Sequence, residues 1–254
     1  MLTLDVLANT GPLRNRPAVE KVIPAVALVL VTIVRPVLPT APVVLALTTA
    51  AAVFLGGIPV SRWLRALSLP AGFIVAGTLG IVLVGGDGPG PIPLTTTQAS
   101  RTEAATVLVR SIAGTSAVVL IGVTTPMVQL IALLRTVRIP AAVTDLMGSM
   151  YRLTFDLINT GRQLRISQAS RLGHVGFRQS VQSSGMIAAA VFVRSVHRAR
   201  RLQIGLDARA YDGELRVLSP AQPADPRRLA GGITAVVCVL VLSYLWPATT
   251  IAVP

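Results

Sequence analysis

The chain of 254 residues is 52% hydrophobic and only 13% charged, with a mean hydropathy of +0.70. A soluble globule carries about twice that share of charge, so this composition excludes one and assigns most side chains to lipid or to each other. The 23 basic and 10 acidic residues leave a net charge of +13, which suits an anionic lipid or protein partner, while 4% aromatics offer no stacking platform for nucleic acid.

In chain order, residues 1–17 lack the apolar run of a signal peptide, and Arg14, Arg16 and Lys21 precede the first long apolar stretch. Five spans are expected. The first, 22–38, is apolar up to Arg35-Pro36; the second, 42–57, follows a short Pro-Thr-Ala-Pro turn, so the two read as a helical hairpin. Residues 66–84 carry no charge and match the ~30 Å hydrocarbon layer at about 1.5 Å per residue. Gly72, Gly77 and Gly80 in it are assigned packing only. A Gly/Pro loop, GGDGPGPIPL, follows and cannot be helical. The fourth span, 104–126, has Arg110 near its start, where it can snorkel to the headgroups. The fifth, 230–253, is uncharged and carries Tyr244 and Trp246, suited to the interfacial belt. Cys238 lies in that span as a lone cysteine, so no internal disulfide exists, and it is expected to be buried and inert.

Between the fourth and fifth spans the character changes: Arg135 to Arg228 holds fifteen arginines against six carboxylates. The positive-inside rule makes this region cytoplasmic, and the short basic segments at Arg14–Lys21 and Arg62–Arg65 agree. Apolar residues recur three and four apart over 147–166 and again over 181–206, with arginines largely off the stripe, so two amphipathic helices are expected, separated at Gly173–Gly176. The predicted fold is therefore all-α: a polytopic membrane helical bundle with long amphipathic cytoplasmic helices. Its parts are a four-span region at 1–126, a cytoplasmic region at 127–229 and a C-terminal transmembrane helix at 230–254.

Catalysis lacks its parts. The two histidines, His174 and His197, are outside any metalloprotease spacing and read as surface or interface side chains. The predicted spans hold no paired carboxylates, GGDGPG is not followed by Gly-Lys-Ser/Thr, and no clustered ligands suit a metal. No enzyme activity, cofactor or bound metal is expected. What the chain offers is an arginine in two similar settings: Ser167-Gln168-Ala169-Ser170-Arg171-Leu172-Gly173 and Leu206-Asp207-Ala208-Arg209-Ala210-Tyr211-Asp212-Gly213. Each sits among modest neighbours at the expected C-terminal end of a helix, where a cation complements the dipole and is free to form bidentate bonds with carboxylates of a partner. Residues alone leave open that both are ordinary solvated arginines.

The stretch from Arg194 to Gly213, RSVHRARRLQIGLDARAYDG, resembles the signature of the transmembrane T component of energy-coupling factor (ECF) ABC importers, an arginine-rich helix leading into Ala-Met-x-Ala-Arg-Gly-Tyr. SQASRLG is similar to the family's first arginine motif, and LDVLANTGPLRNRPAVEK and LLRTVRIPAAVTDLMGSMYR resemble the cobalt/nickel type. Gly205-Leu206 stands where Ala-Met is usual, Ala210 replaces the glycine after the arginine, and Leu172 follows Arg171 with its glycine one position later. The resemblance implies a non-catalytic coupling subunit of the bacterial cytoplasmic (inner) membrane. It would dock two ABC-type ATPase subunits through Ser170, Arg171, Leu172, Ala208, Arg209 and Ala210, and hold a membrane-embedded substrate-binding component that carries the ion. The alternatives are a membrane scaffold or enzyme with a basic lipid-binding face, and a conventional ABC permease.

Overall fold

A computed structural model describes residues 3–35, 37–84, 97–173, 175–211 and 225–245, among which every regular element is helical. The chain divides into two compact units, one of residues 1–130 with 220–254 and one of residues 131–219.

The first unit opens with α1 (Thr3–Thr10) and a 3-10 turn (Pro12–Asn15). Helix α2 (Val19–Val34) ends where Arg35 takes an extended conformation, φ −98° and ψ 159°, because the following proline disfavours the helical region for the residue before it. Helix α3 (Val37–Ala50) starts at once and widens into a π-turn (Ala51–Leu55). The expected break at Pro-Thr-Ala-Pro is therefore misplaced. Pro39 lies in the first turn of α3, where its missing N–H leaves no bond unmade, and Pro42 forfeits a single bond inside the helix. The hairpin breaks at Arg35-Pro36 instead.

Helix α4 (Val60–Val84) follows a turn at Gly56-Gly57, where Gly57 has φ +61° and a Cβ on Gly56 would lie 2.5 Å from the Ala52 carbonyl oxygen. It begins six residues earlier than expected, so Arg62 and Arg65 stand on its first turns rather than in a loop. Helices α5 (Gln98–Thr124) and α9 (Pro226–Leu245) complete the set long and apolar enough to cross a membrane. Three helices thus meet that criterion among the described residues, at Val60–Leu83, Ser100–Thr124 and Pro226–Leu245, where five spans were expected. Helices α2 and α3 are shorter because Arg35-Pro36 and the Gly56-Gly57 turn cut them. The Gly/Pro loop and Trp246 lie outside the described residues.

Helix α5 is the axis of this unit. Ala113, Ser116 and Ala117 have no exposed surface, and their small side chains admit Leu28 and Val31 of α2 and Val44 of α3, while Val236 and Val239 of α9 join the same cluster by packing on α2 and α3. Thr48 of α3 and Ser116 of α5 share a hydrogen bond of 2.8 Å at that centre. A second cluster joins Ala52, Ile58, Trp63 and Val123, with the Trp63 indole donating to Thr49 Oγ1 at 3.3 Å. Helix α9 presses on α2 at Pro24 so closely that a Cβ on Gly232 would lie 2.6 Å from Pro24 Cγ.

Polar ties occupy the helix ends. The Lys21 ammonium donates to the carbonyls of Leu13 and Thr124 and to Gln129 Oε1 at 3.0, 3.1 and 2.8 Å, joining the start of α2 to the 3-10 turn, the end of α5 and the next helix. Glu20 Oε1 accepts from the Asp225 N–H at 2.7 Å, fixing the start of α9. Arg110 donates to the Arg35 carbonyl at 3.3 Å, and the Arg35 guanidinium lies 5.8 Å from the Tyr244 ring centroid. Arg110 therefore serves the backbone opened by Pro36, where snorkelling alone was expected.

Four residues differ from expectation by facing outward. Cys238 is exposed on α9, since Val236 and Val239 take the inward positions of that turn. Among the described residues, Cβ atoms at Gly72, Gly77 and Gly80 would meet nothing within 4 Å, so these glycines show no packing contact there, and Leu69 and Phe73 beside them are 85% and 84% exposed.

The second unit holds the end of α6 (Met127–Thr136) and two long helices, α7 (Ala141–Ser170) and α8 (Phe177–Asp207). Both exceed the predicted amphipathic stretches, since polar turns at each end extend the helix without adding to the apolar stripe. Arg135 of α6 pairs with the buried carboxylate of Asp145 and donates to Thr144 Oγ1 at 3.0 Å, which sets the start of α7. Helices α7 and α8 run antiparallel. Ser183 Oγ donates to the Gly173 carbonyl at 2.8 Å near the turn, and Arg198 reaches Asp156 at 2.8 Å farther along.

Candidate functional site

Helix α7 ends at Ser170 and α8 at Asp207, so each candidate arginine lies within two residues of a helix end. The two ends share one backbone pattern. After α7, the N–H of Arg171 donates to the Gln168 carbonyl, that of Leu172 to Ala169 and that of Gly173 to Gln168, at 3.1, 3.1 and 2.9 Å. After α8, Arg209 donates to Leu206, Ala210 to Asp207 and Tyr211 to Leu206, at 2.9, 3.2 and 3.1 Å. Both are Schellman ends, in which the residue after the arginine must adopt the left-handed conformation. Leu172 does so at φ 58° and Ala210 at φ 53°. The same pattern closes α6, with Arg138 itself left-handed at φ 64°.

The left-handed residue turns the chain aside, and the arginine before it is left exposed at the helix end. There the partial negative charge of the last carbonyls favours the guanidinium. Neither Arg171 nor Arg209 forms an ion pair among the described residues. Asp207, two residues before Arg209, instead accepts from Gln203 Nε2 at 2.9 Å. The flanks differ. Arg171 has apolar neighbours, with Leu172, Val175 and Phe177 exposed; Arg209 lies between the exposed Ala208 and Ala210. Ser170 uses its hydroxyl on the Ser167 carbonyl at 2.9 Å. The six candidate residues do not form one site. They sit at opposite ends of α8, whose 31 residues put them on the order of 45 Å apart.

Sequence reading missed the left-handed backbone at both ends. The signal was the missing glycine, because the family's glycine after the second arginine falls on the position where Ala210 now has positive φ. It also missed that Arg194, His197, Arg198 and Arg201 line a common cleft with Thr160. His174 lies outside the described residues. Among the described residues no group of three or more His, Cys, Asp or Glu is placed to hold a metal ion.

A fold of long apolar helices with two arginine-tipped amphipathic ones can be set beside known proteins. The family model for the cobalt transport protein CbiQ matches residues 10–218. The chain belongs to the CbiQ cobalt transport protein family. The cobalt transport protein CbiQ of Rhodobacter capsulatus is 32% identical over 245 residues, covering 96% of this chain and 98% of the relative. That of Salmonella typhimurium is 27% identical over 165 residues, 61% of this chain and 73% of the relative. A putative fused cobalt transport protein CbiMQ of Methanocorpusculum labreanum is 27% identical over 219 residues, 83% of this chain but 36% of that protein. As a CbiQ-family member, the chain is a multi-pass inner-membrane component of cobalt transport.

Proposed function

We propose that this CbiQ-family chain is the coupling subunit of an ECF-type ABC importer. It transmits ATP-driven motion of two cassette ATPases to a separate membrane component that binds the cobalt ion. The observation that carries the reading is the matched pair of helix ends: two exposed arginines on the same backbone motif, at the two ends of α8. One docking point for each of two ATPase subunits fits that spacing. Ser170 and Leu172 flank one plug, Ala208 and Ala210 the other. Arginine suits the work because it stays charged when partly desolvated and meets carboxylates through two parallel bonds.

Residues 1–126 and 230–254 then form the membrane part, and residues 127–229 the cytoplasmic part that meets the ATPases. The relative named as a fused CbiMQ protein extends well beyond the stretch this chain matches, which supports a second membrane component working beside this one. A second reading, that the chain is itself a permease, predicts transport with the cassettes alone.

The test is Arg171→Ala combined with Arg209→Ala. Losing a buried interfacial charge pair costs on the order of 2–5 kcal/mol, so the double variant should insert normally yet fail to co-purify with the ATPase pair or stimulate its turnover. Undiminished co-purification and ATPase coupling would overturn the docking role.

A further inference from the structure

The antiparallel pair α7–α8 borders an open surface cleft of about 360 Å³, lined by Thr160 of α7 and Arg194, His197, Arg198 and Arg201 of α8. The four residues of α8 lie at spacings of three and four, so they share one face of the helix and converge on the same space. Only one of the three arginines is neutralised, Arg198 by Asp156 at 2.8 Å. Arg194 and Arg201 have no carboxylate partner among the described residues. Thr160 spends its hydroxyl hydrogen on the Asp156 carbonyl at 2.8 Å, which leaves its oxygen lone pairs, while the arginines and the imidazole supply donors. Two uncompensated guanidiniums facing one concavity make a site for a compact oxyanion.

Beside the cleft, Met186, Val193 and Ile204 of α8 are 48%, 52% and 67% exposed. At about 100° per residue they fall on one band of the helix, which His197 and Arg200 interrupt between Val193 and Ile204. A cationic hollow with exposed apolar side chains beside it has the chemistry of a molecule with an anionic head and a hydrocarbon tail.

We propose that this cleft binds a phosphate group, held by Arg194 and Arg201 with His197 at its rim. A phospholipid whose acyl chain lies along Met186 and Val193 matches the surroundings; a free phosphate matches the cleft alone. The site is separate from the two helix-end arginines and does not depend on their role.

Purified full-length chain in detergent is titrated with phosphatidylglycerol in mixed micelles, with diacylglycerol of the same acyl chains as the uncharged control. In a second arm it is titrated with inorganic phosphate against chloride at constant ionic strength. Arg194 and Arg201 are exposed, so R194Q/R201Q leaves the packing intact, and R162Q/R178Q removes the same charge from elsewhere on α7 and α8. The expected result is a roughly thirtyfold loss of phosphatidylglycerol affinity in R194Q/R201Q and little change in R162Q/R178Q. The same dependence in the inorganic phosphate arm extends the site to free phosphate; dependence in that arm alone still supports a phosphate site and assigns the source to soluble phosphate. Equal losses in the two double variants reduce the effect to diffuse charge, and no loss in R194Q/R201Q in either arm removes the site; each overturns the proposal.

Discussion

At Leu172 and Ala210 the backbone holds φ of 58° and 53°, a region where a side chain with Cβ crowds the following carbonyl. Glycine is free of that crowding, though it gives up more chain entropy on folding. Leu172→Gly and Ala210→Gly should each stabilise the chain by roughly 1 kcal/mol, the αL penalty less the glycine entropy, read as a higher Tm of the solubilised protein. A lower Tm in both variants would show that the left-handed turn is not the conformation in solution. That strain could not be read from composition. The arginine motifs were legible because residue type and order carry them. The backbone sign at the next residue was not read, since leucine and alanine give no local cue for positive φ and the glycine missing after the second arginine was the sole hint; three hydrogen bonds back into the preceding turn fix it.

The helices show where patterning sufficed and where it did not. Length and absence of charge identified α4, α5 and α9, and the three-and-four spacing identified α7 and α8. Proline misled at α3: Pro39 and Pro42 read as a turn, yet a proline in the first turn of a helix costs little, and Arg35-Pro36 makes the real break. Lys21 is the reverse case, a residue read as a tail charge that proves to join several elements. Burial pushes its ammonium from the ordinary 10.5 down to about 8, with the nearby Glu20 opposing that shift and Arg16 adding to it. The folded pKa is below the unfolded one, so between pH 8 and 10.5 the unfolded chain holds more protons and stability rises with pH across that window. Because Lys21 is the chain's single lysine, the difference between wild type and Lys21→Met isolates this contribution. The solubilised wild type should gain Tm from pH 8 to 10.5 relative to K21M; parallel curves would refute the burial.

For the whole chain, the proposed sidedness puts the arginine-rich region in the cytoplasm and the Gly/Pro-rich loop after α4 outside. In a Cys238→Ser background, an impermeant maleimide added to intact cells should label Gly88→Cys and leave Ser184→Cys unlabelled until the membrane is opened. Labelling of Ser184→Cys in intact cells would reverse the topology.

Composition and order alone determined that this chain is an all-helical membrane protein, and that its basic residues gather between the last two apolar stretches, because hydrophobicity and net charge are sums over residues that no folding alters. Motif order likewise pointed to the family. Only the tertiary structure decided that α5 is the axis of the first unit, that Gly72, Gly77 and Gly80 meet nothing while Gly232 is pressed against Pro24, and that Arg194 and Arg201 share a cleft. These depend on which helix faces lie together, and contact between residues distant in the chain leaves no periodic trace in the sequence of either partner.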